Sequence, residues 1–206
     1  MRPVHSTKSD ETSLILASGS AARQLMLRQA GLNFDILPAK IDETELLKER
    51  AGDSPAEKAL FLAREKALNV SREKADALII GSDQILCLGE IIFSKAKSRE
   101  DALEKLRMLS GKTHRLISGV AVARGGEVLW DHADHADLTM RVLDEDFLRS
   151  YADAAGDALT SCVGAYQIEG AGAWLFSKVT GDFFTIMGMP LLPLLGYLYE
   201  EHRIGP

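Results

Sequence analysis

Leu14-Ile15-Leu16-Ala17-Ser18-Gly19-Ser20-Ala21-Ala22-Arg23-Gln24-Leu25-Met26-Leu27 decides how this chain is read. The apolar run predicts a buried strand, the small residues a turn, and the remainder an amphipathic helix. The turn carries two hydroxyls, a glycine and a cation, all between Ser18 and Arg23. Open backbone N–H groups at the helix start add partial positive charge. That is equipment for holding a polyphosphate. The plainer reading of the same residues is a capped helix start.

Outward from this stretch, strand-like and helix-like segments alternate, which predicts an α/β fold. Phe34 to Leu37 reads as a short second strand ended by Pro38. Ser54-Pro55-Ala56-Glu57 is a capping box with proline at the first helical position. The helix it opens is expected to run to about Val70, with Leu60, Ala63, Ala67 and Leu68 inward. Ala77-Leu78-Ile79-Ile80-Gly81 reads as a buried strand. Ser98 and Asp144 cap later helices, and Arg124-Gly125-Gly126-Glu127 is a hairpin turn. Ala173 to Val179 reads as a further strand, and Gly188-Met189-Pro190 opens a last helix. Residues 1–12 are polar and read as a flexible lead-in to a single domain, residues 13–206.

The chain has 206 residues, enough for one good core or two lobes around a cleft. A net charge of −6 argues against a broad nucleic-acid surface. The apolar runs are too short to predict a membrane span. Two cysteines, Cys87 and Cys162, do not make a disulfide framework, which points to a reducing cytoplasm.

Two tempting motifs fail. Ser110-Gly111-Lys112-Thr113 looks like the end of a P-loop, but Leu106 stands where the pattern needs glycine. His132 and His135 would point to opposite faces of a strand and could not easily share a metal. Gly81-Ser82-Asp83-Gln84 is more informative. It places a carboxylate beyond an apolar strand, where open α/β sheets bind ligands. Asp83 there could hold a divalent cation or activate water, or could simply be a turn residue. Lys66 shares a helix face with Leu62, unusual for a solvated lysine unless its stem snorkels. Asp42-Glu43 could contact a metal or form a turn, and Lys95 sits in a polar loop.

Taken in order, these pieces resemble the Maf family of nucleoside triphosphate pyrophosphatases, also called septum-formation-inhibitor-like proteins. Leu16 to Arg23 is similar to its Leu-Ala-Ser-x-Ser-x-x-Arg motif. Ile41-Asp42-Glu43, Leu62-Ala63-Arg64-Glu65-Lys66-Ala67 and Gly81-Ser82-Asp83-Gln84 resemble three further elements. Lys95, Ala102, Ser110-Gly111, His114 and Gly119 fall at the family spacing. Gly164 to Gly170 and Gly181 to Leu191 complete the resemblance. The chain departs from the family at Ala21 and Ala22, which precede the motif arginine. It departs again at Ser94-Lys95-Ala96, where Gly-Lys-Pro is usual and Lys97 adds a cation.

The resemblance implies an elongated mixed sheet flanked by helices, with two lobes around a nucleotide-binding cleft, and a homodimer. The implied reaction cleaves a nucleoside triphosphate to the monophosphate and pyrophosphate. Cations must gather around so charged a leaving group. Arg23, Lys66 and Lys95 are the candidates, with Ser18 and Ser20. A divalent cation, Mg²⁺ or Mn²⁺, would offset further charge, with Asp83 and Glu43 as its protein ligands. Asp83 would orient or deprotonate the water attacking the α-phosphorus. Ala22, Gln84 and Glu169 occupy specificity positions. Gln84 and Glu169 resemble the 7-methyl-GTP branch, where a UTP/dTTP branch has Thr and Gln. A UTP/dTTP pyrophosphatase is the alternative within the family. A nucleotide-binding regulator of septation without relevant turnover is the alternative outside enzymology.

Overall fold

The computed structural model describes residues 13–205. The expected lead-in, residues 1–12, lies outside the described residues. A seven-stranded mixed sheet is built from β1 (Leu14–Leu16), β2 (Asp35–Ile36), β3 (Leu78–Leu88), β4 (Ile91–Phe93), β5 (Thr113–Arg124), β6 (Glu127–Met140) and β7 (Phe176–Thr180). The strand order is β2-β1-β3-β5-β6-β7, with β4 also on β3. β1 runs parallel to β2 and β3, and the other pairings are antiparallel. The helices are α1 (Ala21–Gln29), α2 (Glu43–Lys48), α3 (Pro55–Ser71), α4 (Arg99–Leu109), α5 (Glu145–Ala155), α6 (Ala158–Ser161), α7 (Phe183–Ile186) and α8 (Leu191–His202).

Local chemistry explains many element boundaries. Ser20, Asp42, Ser54, Ser98 and Asp144 each accept a backbone N–H at a helix start. At α3 the capping box is reciprocal, with Pro55 opening the first turn. After α4, Gly111 takes φ +70°, the left-handed step that lets the chain leave the helix for β5.

Two large cores share the long strands. One packs Leu16, Met26 and Leu27 against Ile80, Val122, Leu194 and Leu198. The other packs Leu86, Leu106 and Leu109 against Leu116, Leu138, Tyr166 and Phe176. β3 and β5 pass from the first core to the second. Each fully buried Leu or Ile adds about 1.5–3 kcal/mol by leaving water.

The passage of β3 between the cores creates an opening. Leu78–Ile80 pair with β1, and Leu86–Leu88 pair with β4. Between them, Gly81–Ile85 pair with β5 on one side and, among the described residues, have no strand on the other. The sequence expectation of a strand ending near Gly81 is therefore corrected. Asp83 lies inside an eleven-residue strand. It does lie beyond the C-terminal end of β1, which stops opposite Ile80.

Two smaller corrections follow from packing. On α3 the buried positions are Ala59, Leu62, Ala63, Ala67, Val70 and Ser71, whereas Leu60 and Leu68 are only half-buried. The alanines face a glycine pair. A Cβ on Gly81 would stand 2.2 Å from the Ala63 carbonyl oxygen, and one on Gly119 2.6 Å from that of Ala59. Near the chain's end, Ala171–Leu175 form a 3-10 turn, so the strand expected from Ala173 begins at Phe176.

Candidate active site

Close approach of α3 to the sheet places the central charges. Gly81 and Asp83 lie on one face of β3, and Gly119 pairs directly opposite Asp83. With α3 seated on those glycines, Lys66 reaches Asp83. Its Nζ lies 2.6 Å from Asp83 Oδ1 and 2.7 Å from Glu43 Oε1. The Lys66 and Asp83 side chains are only 12% and 11% exposed, while Glu43 at the start of α2 is 50% exposed. Burial pushes the Asp83 carboxyl above its ordinary range, and Lys66 and Arg23 pull it back. An acid so placed can serve as a proton acceptor near neutral pH.

Arg23 is buried, which its place in a polar turn did not indicate. Its Nε donates to the Gly188 carbonyl at 2.8 Å. Its Nη1 donates to Ser18 Oγ at 3.1 Å and to the Ser82 carbonyl at 2.9 Å. The last bond satisfies a backbone oxygen in the strand-free stretch of β3. Arg23 is thus a clamp between α1, β3 and the α7–α8 connection as well as a wall of the cleft. Burial lowers the guanidinium pKa, and Asp83 and Glu43 oppose that shift. It stays charged throughout the working pH range. Ser18 is buried and also accepts the Ser20 N–H at 3.3 Å. Ser20 caps α1, so the plainer reading of that hydroxyl describes its present contact.

The opposite face of β3 looks to α7. Ser82 Oγ lies 2.8 Å from the Gly119 carbonyl and 3.0 Å from that of Gly188. Gln84 Nε2 is within 3.0–3.1 Å of Ser118 Oγ and the carbonyls of Thr185 and Ile186. Three oxygens around one nitrogen assign the amide orientation. They leave Oε1 as the group of Gln84 available to a ligand.

A cleft of about 1020 Å³ opens onto this region. It brings together Ser18, Ser20, Ala22, Arg23, Glu43, Lys66, Asp83, Gln84, Lys95 and Glu169, the positions that the resemblance implied for catalysis, phosphate binding and specificity, whereas Asp42 caps α2. Lys95 and Glu169 are exposed at its rim. Lys58 and Lys97 also line it. Lys97 was visible as an extra cation, but Lys58 was overlooked. Its signal is the spacing Lys58, Leu62, Lys66, three residues four apart on one helix face. A second groove, between β6 and α8, is walled by Trp130, His132 and Tyr197 and offers no lysine or arginine to a phosphate.

The donor set suits a hard cation. Asp83 and Glu43 offer carboxylate oxygens, and the serines hydroxyls. No cluster of three or more His, Cys, Asp or Glu side chains able to hold a metal occurs among the described residues. Two carboxylates alone fit an ion that enters with a polyphosphate and keeps water ligands, the habit of Mg²⁺. No described helix is long and apolar enough to cross a membrane.

Comparison with known proteins bears on the same residues. A 7-methyl-GTP pyrophosphatase of Rhizobium etli is 50% identical over 189 residues, covering 91% of this chain and 95% of that protein. A nucleoside triphosphate pyrophosphatase of Bradyrhizobium diazoefficiens is 47% identical over 192 residues, 93% of this chain and 95% of its own. Among solved structures, a HAM1 protein from Coxiella burnetii aligns at a TM-score of 0.43 and 15% identity, over 63% of this chain and 73% of that one. The family model described as Maf-like protein matches residues 13–201, from the first residue of the described fold through nearly all of α8. That span takes in the whole cleft, and on it the chain belongs to the Maf family.

Proposed function

We propose that this protein hydrolyses a nucleoside triphosphate to the monophosphate and pyrophosphate, with 7-methyl-GTP as the preferred substrate. One observation carries the reading: Lys66 holds Asp83 and Glu43 together at the wall of a cleft that Arg23, Lys58, Lys95 and Lys97 also line. Cations meet the departing pyrophosphate, and a desolvated carboxylate meets the attacking water. Asp83 accepts the water's proton, and Lys66 holds that carboxylate in place and offsets charge on the phosphates. Arg23 orients Ser18 and the α1 turn against the polyphosphate. Asp83 and Glu43 would hold the divalent cation, which would supply positive charge to offset that of the phosphates.

The base preference is supported by acceptors. Gln84 has its amide N–H groups turned to α7 and offers an oxygen. Glu169 offers a carboxylate. Two acceptors suit the N1–H and exocyclic amine of guanine, and a negative carboxylate offsets the cationic 7-methylated ring. Names of close relatives point the same way. Homodimerisation is an expectation of the resemblance, checked by sedimentation velocity; a cytoplasmic location is an expectation of the cysteine usage, and a single domain over 13–206 one of the sequence pattern.

The test is a panel of triphosphates, 7-methyl-GTP, GTP, UTP and dTTP, with Mg²⁺ or Mn²⁺, monitored for pyrophosphate. Best turnover of 7-methyl-GTP is expected. Better turnover of UTP or dTTP would overturn the base assignment alone. Binding without turnover of any of them would favour a nucleotide-binding regulator.

A further inference from the structure

The segment 162–169 borders the cleft at the end that carries Glu169. It contains neither helix nor strand, yet its middle residues, Gly164, Ala165 and Tyr166, are buried. Its backbone is held in an unusual shape. Ala165 adopts φ +58°, a left-handed conformation that a residue with a Cβ rarely takes. Tyr151 Oη donates to the Ala165 carbonyl at 2.9 Å. A Cβ on Gly164 would lie 2.3 Å from the Tyr166 ring, so the ring folds back over its own loop.

The Tyr166 hydroxyl is the far anchor of this arrangement. It lies 2.7 Å from His114 Nε2 on β5. Phe176 packs edge-on to Tyr166, with ring centroids 4.9 Å apart, and also flanks His114. The His114 ring is 1% exposed, and its Nδ1 is the one buried side-chain polar atom without a hydrogen-bond partner among the described residues. Burial depresses its pKa to about 4, so the ring is neutral at pH 7 with one N–H. Whichever tautomer is present, one nitrogen stays unpaired. Leaving a buried polar group unpaired forfeits its hydration with nothing in return. An apolar side chain of similar size at position 114 would avoid that cost but could not hold the tyrosine hydroxyl.

We propose that Tyr166 and His114 are positioning residues for nucleobase recognition: their bond fixes the 162–169 segment so that Glu169 meets the base. This rests on the pyrophosphatase reading above. Tyr166 lines the same cleft as Asp83, Lys66 and Glu43, but neither Tyr166 nor His114 shares a hydrogen bond with that cluster. The inference therefore separates base discrimination from phosphate handling.

Tyr166→Phe, which removes one oxygen, His114→Leu and His114→Gln test it. Each variant is assayed with the best and the poorest substrates of the panel, and for inhibition by inorganic tripolyphosphate, a probe with no base. In Tyr166→Phe and His114→Leu the ratio of kcat/KM between those substrates is expected to fall about fivefold to tenfold. A change of that size matches loss of about one hydrogen bond's free energy. The fall should come from KM of the preferred substrate, with kcat and tripolyphosphate inhibition unchanged. His114→Gln, which keeps a hydrogen-bonding side chain, should recover part of the ratio. If His114→Leu does not fold, Tyr166→Phe decides. An unchanged ratio in Tyr166→Phe overturns the positioning role. So does an equal loss of tripolyphosphate inhibition, because it would mark general damage to the cleft. Absence of wild-type turnover overturns the pyrophosphatase reading and this inference together.

Discussion

The two ends of the cleft are built differently. At one end, Arg23, Ser18, Lys66 and Asp83 are buried or nearly so and already bonded to one another or to backbone carbonyls. At the other, Glu169 is exposed and appears in none of the described ion pairs. The difference separates two kinds of work. Charge that develops during phosphate cleavage is best met by dipoles and ions fixed in advance, because nothing then reorganises as the reaction proceeds. Recognition of a base can instead be left to groups on a loop set on a rigid scaffold. The buried end follows from α3 lying against Gly81 and Gly119. The exposed end depends on how the 162–169 segment is anchored.

Substitutions at the two ends should therefore differ in size and in kind. Asp83→Asn is expected to lower kcat by at least about 10²-fold with melting close to wild type, since it removes the proposed proton acceptor while keeping the shape. The upward shift of the Asp83 carboxyl by burial also sets the sign of the pH profile. The carboxylate must be ionised to act, so kcat/KM should fall as pH drops through a midpoint above the ordinary carboxylate range. Near-normal turnover of a folded Asp83→Asn protein would refute its role.

Smaller and unequal effects are expected of the lysines. Lys66→Ala removes the partner of a desolvated carboxylate and should cost about 10²-fold in kcat/KM. Lys95→Ala removes an exposed, solvent-screened charge and should cost about tenfold or less. Each should weaken triphosphate binding more than monophosphate binding, measured by calorimetry, because the proposed contacts are to phosphates that the monophosphate lacks. Equal losses for the two ligands would place these lysines elsewhere on the nucleotide.

The smallest loss of total activity is expected at the base end. Gln84→Thr with Glu169→Gln should shift the ratio of kcat/KM values from 7-methyl-GTP toward UTP by about tenfold or more. The Gln84 change also removes donors from the Thr185 and Ile186 carbonyls, so the two effects need not add. A uniform loss on all substrates would show that the pair supports the cleft and does not select the base.

The local signals and the long-range contacts were not equally readable in the sequence. Helix starts were readable because capping is written within four residues, as at Ser54 to Glu57. The turn at 124–127 and the stop at Gly111 were readable for the same reason. β3 was cut short because Ser82, Asp83 and Gln84 look like the end of a strand. They stay in it because partners distant in sequence satisfy them: Lys66 from α3, and the Gly188 and Thr185 carbonyls beside α7. Burial of Arg23 was hidden in the same way, since two of its three acceptors are carbonyls from β3 and from Gly188. The cleft residues were found because resemblance to a family carries tertiary information that spacing alone does not.

The central claim is that water, activated at the buried end, attacks the α-phosphorus and expels pyrophosphate. Hydrolysis of the best triphosphate of the panel in ¹⁸O-labelled water, with both products weighed by mass spectrometry, tests it most directly. The account predicts one ¹⁸O atom in the nucleoside monophosphate and none in the pyrophosphate. Label in the pyrophosphate, or release of orthophosphate in its place, would contradict it.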